Sequence, residues 1–341
     1  MTARITDAAD DLAAGPEAVI AASPIAAELR AELERRWAAG TDHIGDIARY
    51  ALLAPGKMLR PLMLVATAES VGGDRAAVLP AALSVEYLHV ASLVHDDIID
   101  GDELRRGRPS VPAKFGVADA IVTGDALILG LFDTLAECGL PAEAVLGAVR
   151  AVAVAGVDLC RGQALEAELL RDPACPPERY RRMAALKTGA LFRAACRSGA
   201  LLGGGTAEQV EAATRFAERV GAAFQMRDDL LPYLADSSVT GKSADSDAGN
   251  MRPTFPVIVG HRMAGPRDRA VLVDALSGTR SPAESFALLR EVLDRLGAVE
   301  HAAEQAEDEI RRAHDELGAL PGAEGTRLLA AVADLAIHRD R

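Results

Sequence analysis

Two short acidic stretches hold the side chains best suited to chemistry: His95-Asp96-Asp97-Ile98-Ile99-Asp100 and Arg227-Asp228-Asp229-Leu230-Leu231. Each follows a mostly apolar run, Ser84 to Val94 for the first and Phe216 to Met226 for the second. On a helix, residues four apart share a face with about 5–6 Å between Cβ atoms. Asp96 and Asp100 would then point the same way, with Asp97 alongside. Carboxylates at a helix C-terminus oppose its dipole, so the arrangement costs stability unless a cation neutralises it. Two such clusters suit a hard, oxygen-preferring ion, above all Mg²⁺, which binds through a few carboxylates and keeps other positions for water and phosphate. One Asp-Asp pair near a helix end is more often solvated surface. Two, each behind an apolar helix, argue for a site.

Phosphate also needs cations. The 37 basic residues include only four lysines, Lys57, Lys114, Lys187 and Lys242; the rest are Arg. Three of the four sit beside Gly, Thr or Pro at expected helix edges: Gly56-Lys57-Met58-Leu59-Arg60-Pro61, Lys187-Thr188-Gly189 and Thr240-Gly241-Lys242. Lys is a compact point charge that suits phosphate where a bidentate fork is not wanted, although chance could also place four residues so. Arg105-Arg106-Gly107-Arg108-Pro109 follows the first acidic stretch directly. Taken alone it is a solvated turn. Beside three carboxylates, it lies where metal and phosphate would meet.

Nearly everything that must position these groups is rich in Ala, Leu, Glu and Arg, the best helix formers, with Gly and Pro between apolar stretches of helix length. Helices are expected near 24–38, 43–54, 59–71, 75–98, 117–137, 141–170, 177–202, 206–233, 254–263, 266–276, 282–296, 298–317 and 322–337. No Gly-x-Gly-x-x-Gly follows a strand. Gly203-Gly204-Gly205-Thr206 lacks the P-loop ending, and Gly241-Lys242-Ser243 has Asp236 where a P-loop needs Gly. The expectation is an all-α fold: residues 1–22 loosely ordered, and residues 23–341 a single helical domain.

The chain has 341 residues, half of them hydrophobic, and a net charge of −13 with 4% aromatics. A nucleic-acid binder needs a basic footprint, and one for single strands needs aromatics too, so that class is excluded. Cys138, Cys160, Cys175 and Cys196 show no paired spacing, which fits a reducing compartment. No signal peptide and no membrane-length apolar stretch is read. The chain reads as cytoplasmic.

Together these stretches closely resemble the trans-isoprenyl diphosphate synthases, the polyprenyl synthetase family, in order from about Leu53 to Pro256. Asp96-Asp97-Ile98-Ile99-Asp100 resembles the family's first aspartate-rich motif (DDxxD), followed as expected by Leu104-Arg105-Arg106-Gly107-Arg108-Pro109. Gly162-Gln163, Lys187-Thr188, Phe224-Gln225 and Gly241-Lys242 match further family positions. The resemblance implies a bundle of antiparallel helices around a central cavity, usually a homodimer, with three Mg²⁺ between the two motifs. Asp96, Asp100 and Asp228 would be metal ligands, with Asp97 and Asp229 in support. Arg105, Lys187 and Lys242 would grip an allylic diphosphate, with Thr188 and Gln225 also at the substrate. Lys57, Arg60, His89 and Arg106 would grip isopentenyl diphosphate.

Three departures stand out. Pro232 replaces a frequent third Asp of the second motif, so a kink or end of the helix is expected there. Met58 replaces a commonly basic residue, and Asp245-Ser246-Asp247-Ala248-Gly249-Asn250-Met251-Arg252 is a degenerate form of the following loop. One turn before Asp96, farnesyl-forming relatives commonly carry aromatics. Here Ala91 and Ser92 leave room, so products beyond fifteen carbons are expected, geranylgeranyl diphosphate first, with Tyr87 as a candidate floor. Two other readings stay open: a class I terpene synthase that cyclises its substrate, and a non-catalytic subunit of a heteromeric synthase.

Overall fold

The computed structural model describes residues 15–38, 42–234 and 246–338. Helices α1 Pro16–Ala22, α2 Pro24–Arg36, α3 His43–Leu52, α4 Leu59–Ser70 and α5 Arg75–Asp100 come first. A two-stranded hairpin follows, β1 Leu104–Arg105 and β2 Arg108–Pro109, then α6 Val111–Phe115, α7 Val117–Ala136 and α8 Ala142–Leu169. Next, α9 Pro177–Ala184 runs through a π-helical turn, Ala185–Gly189, into α10 Ala190–Leu202, and α11 is Ala207–Leu234. The chain ends with α12 Ser246–Gly249, α13 Phe255–Met263, α14 Pro266–Ala275, α15 Pro282–Leu296, α16 Ala298–Glu316, a 3₁₀ turn Leu317–Ala319, and α17 Ala323–His338. The fold is all-α, as the sequence predicts.

Backbone contacts divide the chain into two compact units. Of the described residues, those within 15–154, 191–215 and 316–335 form the first, and those within 155–190, 216–315 and 336–338 the second, so α8, α10, α11, α16 and α17 contribute to both.

In the first unit α4 is buried on all sides, with Leu62, Met63, Leu64 and Val65 fully covered; a helix apolar all round belongs at the centre of a core. Glycines admit its neighbours: a Cβ at Gly199 would lie 2.2 Å from the Leu64 carbonyl oxygen, and one at Gly325 2.3 Å from that of Ala66. α5 packs chiefly on α7 and α4. It starts at an Asp74 cap, whose side chain accepts from the Ala76 N–H, and stops at Gly101 in the left-handed conformation, φ 67°. That stop places the acidic stretch in the last turn and a half. The second unit is built on a core of Tyr180, Met226, Leu230, Phe255, Ile258 and Leu293, with Tyr180 and Phe255 stacked at 5.2 Å.

Three expectations are corrected and one is sharpened. Residues 16–22 form a helix, not a loose segment, because Pro16 presets the first turn and Ile20 finds buried packing; residues 1–14 lie outside the described set. The arginine stretch, expected as a turn, is the tip of a two-stranded β-hairpin. Pro232 does not end its helix: α11 runs on to Leu234, and being in the last turn, Pro removes only the bond its N–H would have donated to the Asp228 carbonyl. Finally, α5 is long and apolar enough to cross a membrane, contrary to the sequence reading, but 67% of its most apolar window is buried within the protein, as in a core helix.

Candidate active site

The first acidic cluster is built on the exit from α5. Asp97 is 2% exposed, and its Oδ1 accepts from Arg105 Nε at 2.8 Å, while Arg105 Nη2 donates to Asp102 Oδ2 at 2.9 Å. Asp96 and Asp100 remain half-buried on the neighbouring face. The hairpin sets this up: Arg105 pairs with Arg108 across the strands, and the two loop residues, Arg106 and Gly107, have φ of 53° and 73°. Positive φ at both positions is what a two-residue type I′ turn requires. It sends consecutive arginines to different places. Arg105 goes to the acids.

Arg106 goes to the lysine loop. Its guanidinium fills the space that Gly56 leaves, where an added Cβ would lie 2.6 Å from Nη1. Next in the loop, Met58 holds the left-handed conformation, φ 46°, which costs a side-chain-bearing residue energy. Lys57 is half-exposed and pairs with Glu17 of α1 at 3.0 Å. Arg60 Nη1 stands 3.4 Å from His89 Nε2, with its guanidinium 4.4 Å above the Phe192 ring. Burial, then the charges of Arg60, Arg106 and Arg105, hold His89 well below the usual imidazole range. His89 is therefore neutral at pH 7 and acts as a hydrogen-bonding group, not a cation. Burial likewise lowers Arg106 from its ordinary value, partly offset by Glu86. Ala91 is fully buried, and Ser92 is half-buried with Oγ donating to the His89 carbonyl at 2.7 Å. Tyr87 turns toward Trp37, whose Nε1–H donates to its hydroxyl at 2.9 Å.

In the second unit, Lys187 and Thr188 lie in the π-helical turn, a distortion that recurs at functional sites. Lys187 Nζ donates to Glu166 Oε2, with Arg252 3.8 Å from the same oxygen. Gly162 permits the approach, since a Cβ there would sit 2.4 Å from the Lys187 nitrogen. Thr188 Oγ1 donates to Gln225 Oε1, and Gln225 Nε2 donates to Asp229 Oδ1 at 2.9 Å. Asp229 Oδ2 accepts from the Tyr180 hydroxyl at 2.6 Å and the Phe255 N–H at 2.7 Å. Burial, with the Asp247 carboxylate adding to it, pushes Asp229 up to about 7. Its neighbour Asp228 is exposed. Lys242 and Gly241 lie outside the described residues.

Among the described residues, no three His, Cys, Asp or Glu side chains converge tightly enough to hold a metal by themselves. Accessible carboxylates in ones and twos suit Mg²⁺, which draws its other ligands from water and phosphate oxygens. Three residues escaped the sequence reading. Glu86 carried a visible signal, as the one charge inside the apolar run Ser84 to Val94. Glu166 and Tyr180 carried none, because their partners are distant in sequence.

The molecule is thus all-α, with an acidic cluster beside a cationic one in its first unit. A sequence model of the Polyprenyl synthetase family matches residues 41–293. The short chain isoprenyl diphosphate synthase of Methanothermobacter thermautotrophicus is 33% identical over 293 residues, covering 86% of this chain and 89% of its own. The crystal structure of geranylgeranyl pyrophosphate synthetase from Pyrococcus horikoshii superposes with a TM-score of 0.87 at 30% identity, covering 95% of this chain and 99% of its own. That of a Caulobacter crescentus polyprenyl synthase complexed with calcium and isoprenyl diphosphate gives 0.86 at 27%, covering 96% and 98%. Other relatives are named for geranylgeranyl, geranylfarnesyl and octaprenyl diphosphate. This chain belongs to the polyprenyl synthetase family and is a trans-prenyltransferase of the isoprenyl diphosphate synthase type. The family's substrates are isopentenyl and allylic diphosphates, and its usual metal is Mg²⁺.

Proposed function

We propose that this chain condenses isopentenyl diphosphate with an allylic diphosphate and releases a trans-prenyl diphosphate longer than fifteen carbons, geranylgeranyl diphosphate foremost. The observation that carries this reading is the hairpin that splits Arg105 and Arg106. One arginine braces an acidic, metal-suited helix end. The next lies beneath the Gly56-Lys57 loop, so two anion sites share one short turn. A cyclase that only ionises its substrate does not need the second site.

In this reading Asp96, Asp100 and Asp228 take metal-ligand roles for up to three Mg²⁺, with Asp97 held by Arg105 and Asp229 by Tyr180. When bound, Mg²⁺ supplies charge neutralisation for the departing diphosphate. Arg105, Lys187 and Lys242 add cationic contacts to that leaving group, and Thr188 and Gln225 orient it. Lys57, Arg60, His89 and Arg106 hold isopentenyl diphosphate with its double bond toward the allylic carbon. Apolar side chains of α5 keep water from the carbocation, and the proton lost after coupling goes to the released diphosphate. The catalytic domain in this reading spans residues 23–341. The enzyme acts in the cytoplasm, consistent with four free cysteines, and as a homodimer. An exposed apolar stripe supports that assembly: Val117, Ile121, Val122, Leu129 and Phe132 lie open on α7.

Incubation with isopentenyl diphosphate, each allylic starter and Mg²⁺, followed by mass analysis, should yield a linear diphosphate of about twenty carbons or more, and none after chelation. A cyclic hydrocarbon formed without isopentenyl diphosphate would overturn elongation. Ala91→Phe should shorten the product toward fifteen carbons. Because Ala91 has no exposed surface, Ser92→Phe is the companion variant; an unchanged product from both removes the pocket reading.

A further inference from the structure

Glu86 is out of character with its surroundings. It is 3% exposed, lies inside the apolar run of α5, and its Oε2 finds no hydrogen-bond partner among the described residues. A buried carboxylate persists only where compensating charge surrounds it. Here burial favours the neutral acid, while Arg106 and Arg60 favour the carboxylate. The effect is mutual, since Glu86 supports the cationic form of Arg106 against its own burial. Position agrees with charge. Glu86 precedes His89 by three residues on one helix, a spacing that places them on the same face. His89 stands beside Arg60, and Arg106 fills the hollow at Gly56.

We propose that Glu86 is a positioning residue of the isopentenyl diphosphate site: its buried carboxylate, acting through its charge and not through a hydrogen bond, keeps the guanidinium groups of Arg60 and Arg106 gathered in the empty enzyme, ready for the diphosphate. This rests on the reading of Lys57, Arg60, His89 and Arg106 given above. Without an acid at the base of the cluster, like charges would drive the arginines apart, and each binding event would have to regather them. Electrostatic sites work best when their charges are already in place.

A carboxylate near a diphosphate also repels it, and that makes the proposal sharp. If Glu86 acts only as a like charge, its removal tightens binding; if it positions the arginines, its removal weakens binding. Glu86→Gln keeps the shape and deletes the charge. KM for isopentenyl diphosphate should rise about ten-fold, with KM for the allylic substrate and kcat within about three-fold of wild type. Glu86→Asp, which retains the charge, should recover part of the loss. The thermal midpoint of Glu86→Gln should stay within a few degrees of wild type. A lower KM for isopentenyl diphosphate overturns the proposal, as does an equal rise in both KM values or a collapse of the midpoint. Arg106→Gln, measured alongside, separates the two layers. If it leaves KM for isopentenyl diphosphate unchanged, the site assignment itself is wrong and Glu86 falls with it. If it raises that KM and Glu86→Gln does not, only the positioning role fails.

Discussion

His89 is the residue whose chemistry departs most from its expected part. A basic side chain at a proposed diphosphate site suggests a cation, yet burial and the charges of Arg60 and Arg106 keep the imidazole neutral. Its folded pKa is depressed, so its contribution to stability is present above the unfolded value, about 6.5. That contribution is lost as pH falls from there toward the folded pKa, where the unfolded chain binds a proton that the folded one refuses. Between pH 7 and 5, without ligands, the unfolding midpoint of wild type should fall about 2–5 °C further than that of His89→Gln. Parallel pH profiles would refute the neutral assignment. Asp97 and Asp229 show the same lesson in acids. Sequence grouped them with metal ligands as supporting residues, and the structure gives each a set of partners: Arg105 for Asp97, and Tyr180, Gln225 and the Phe255 N–H for Asp229.

At the scale of elements, helix positions were largely legible because apolar periodicity and Gly/Pro punctuation act locally. The expected span 75–98 became Arg75–Asp100, and 298–317 became Ala298–Glu316. What stayed hidden depends on backbone conformations that sequence spacing does not reveal. The π-helical turn at Ala185–Gly189 lies inside a stretch expected to be plain helix, and the strand pairing on either side of the expected turn at Arg106-Gly107 has no mark in the spacing. Gly162, too, has a purpose visible only in three dimensions: it lets α8 meet the π-helical turn at the Lys187 backbone. Gly162→Ala sets a methyl against backbone, not against a flexible side chain. It should destabilise the protein by about 2–3 kcal/mol, read as a lower urea midpoint at unchanged slope. It should also raise KM for the allylic substrate, through displacement of Lys187. A stability equal to wild type would show that the contact relaxes freely.

For the whole molecule, the informative surface is the apolar stripe on α7. Leu129 is 69% exposed and Phe132 38%. A soluble monomer with net charge −13 gains nothing from such a patch, whereas a two-fold assembly buries it twice. Leu129→Arg combined with Phe132→Glu should halve the mass seen by sedimentation and leave helical content unchanged. A monomeric wild type at micromolar concentration would end the homodimer proposal. This stripe was not evident from sequence, because α7 and a buried core helix share the same composition, and only packing tells which face is left over.

The identity of α5 as both the packed interior of its unit and the bearer of the acids has a consequence for variation over time. Changes that widen or narrow the space beside Ala91 are also changes to the tightest contacts that keep the unit folded. If Ala91 and Ser92 line the product pocket as proposed, lineages exploring new product sizes would move through Ser92, which still has open surface beside it, before touching Ala91. Directed evolution of this chain should meet its first tolerated size changes there.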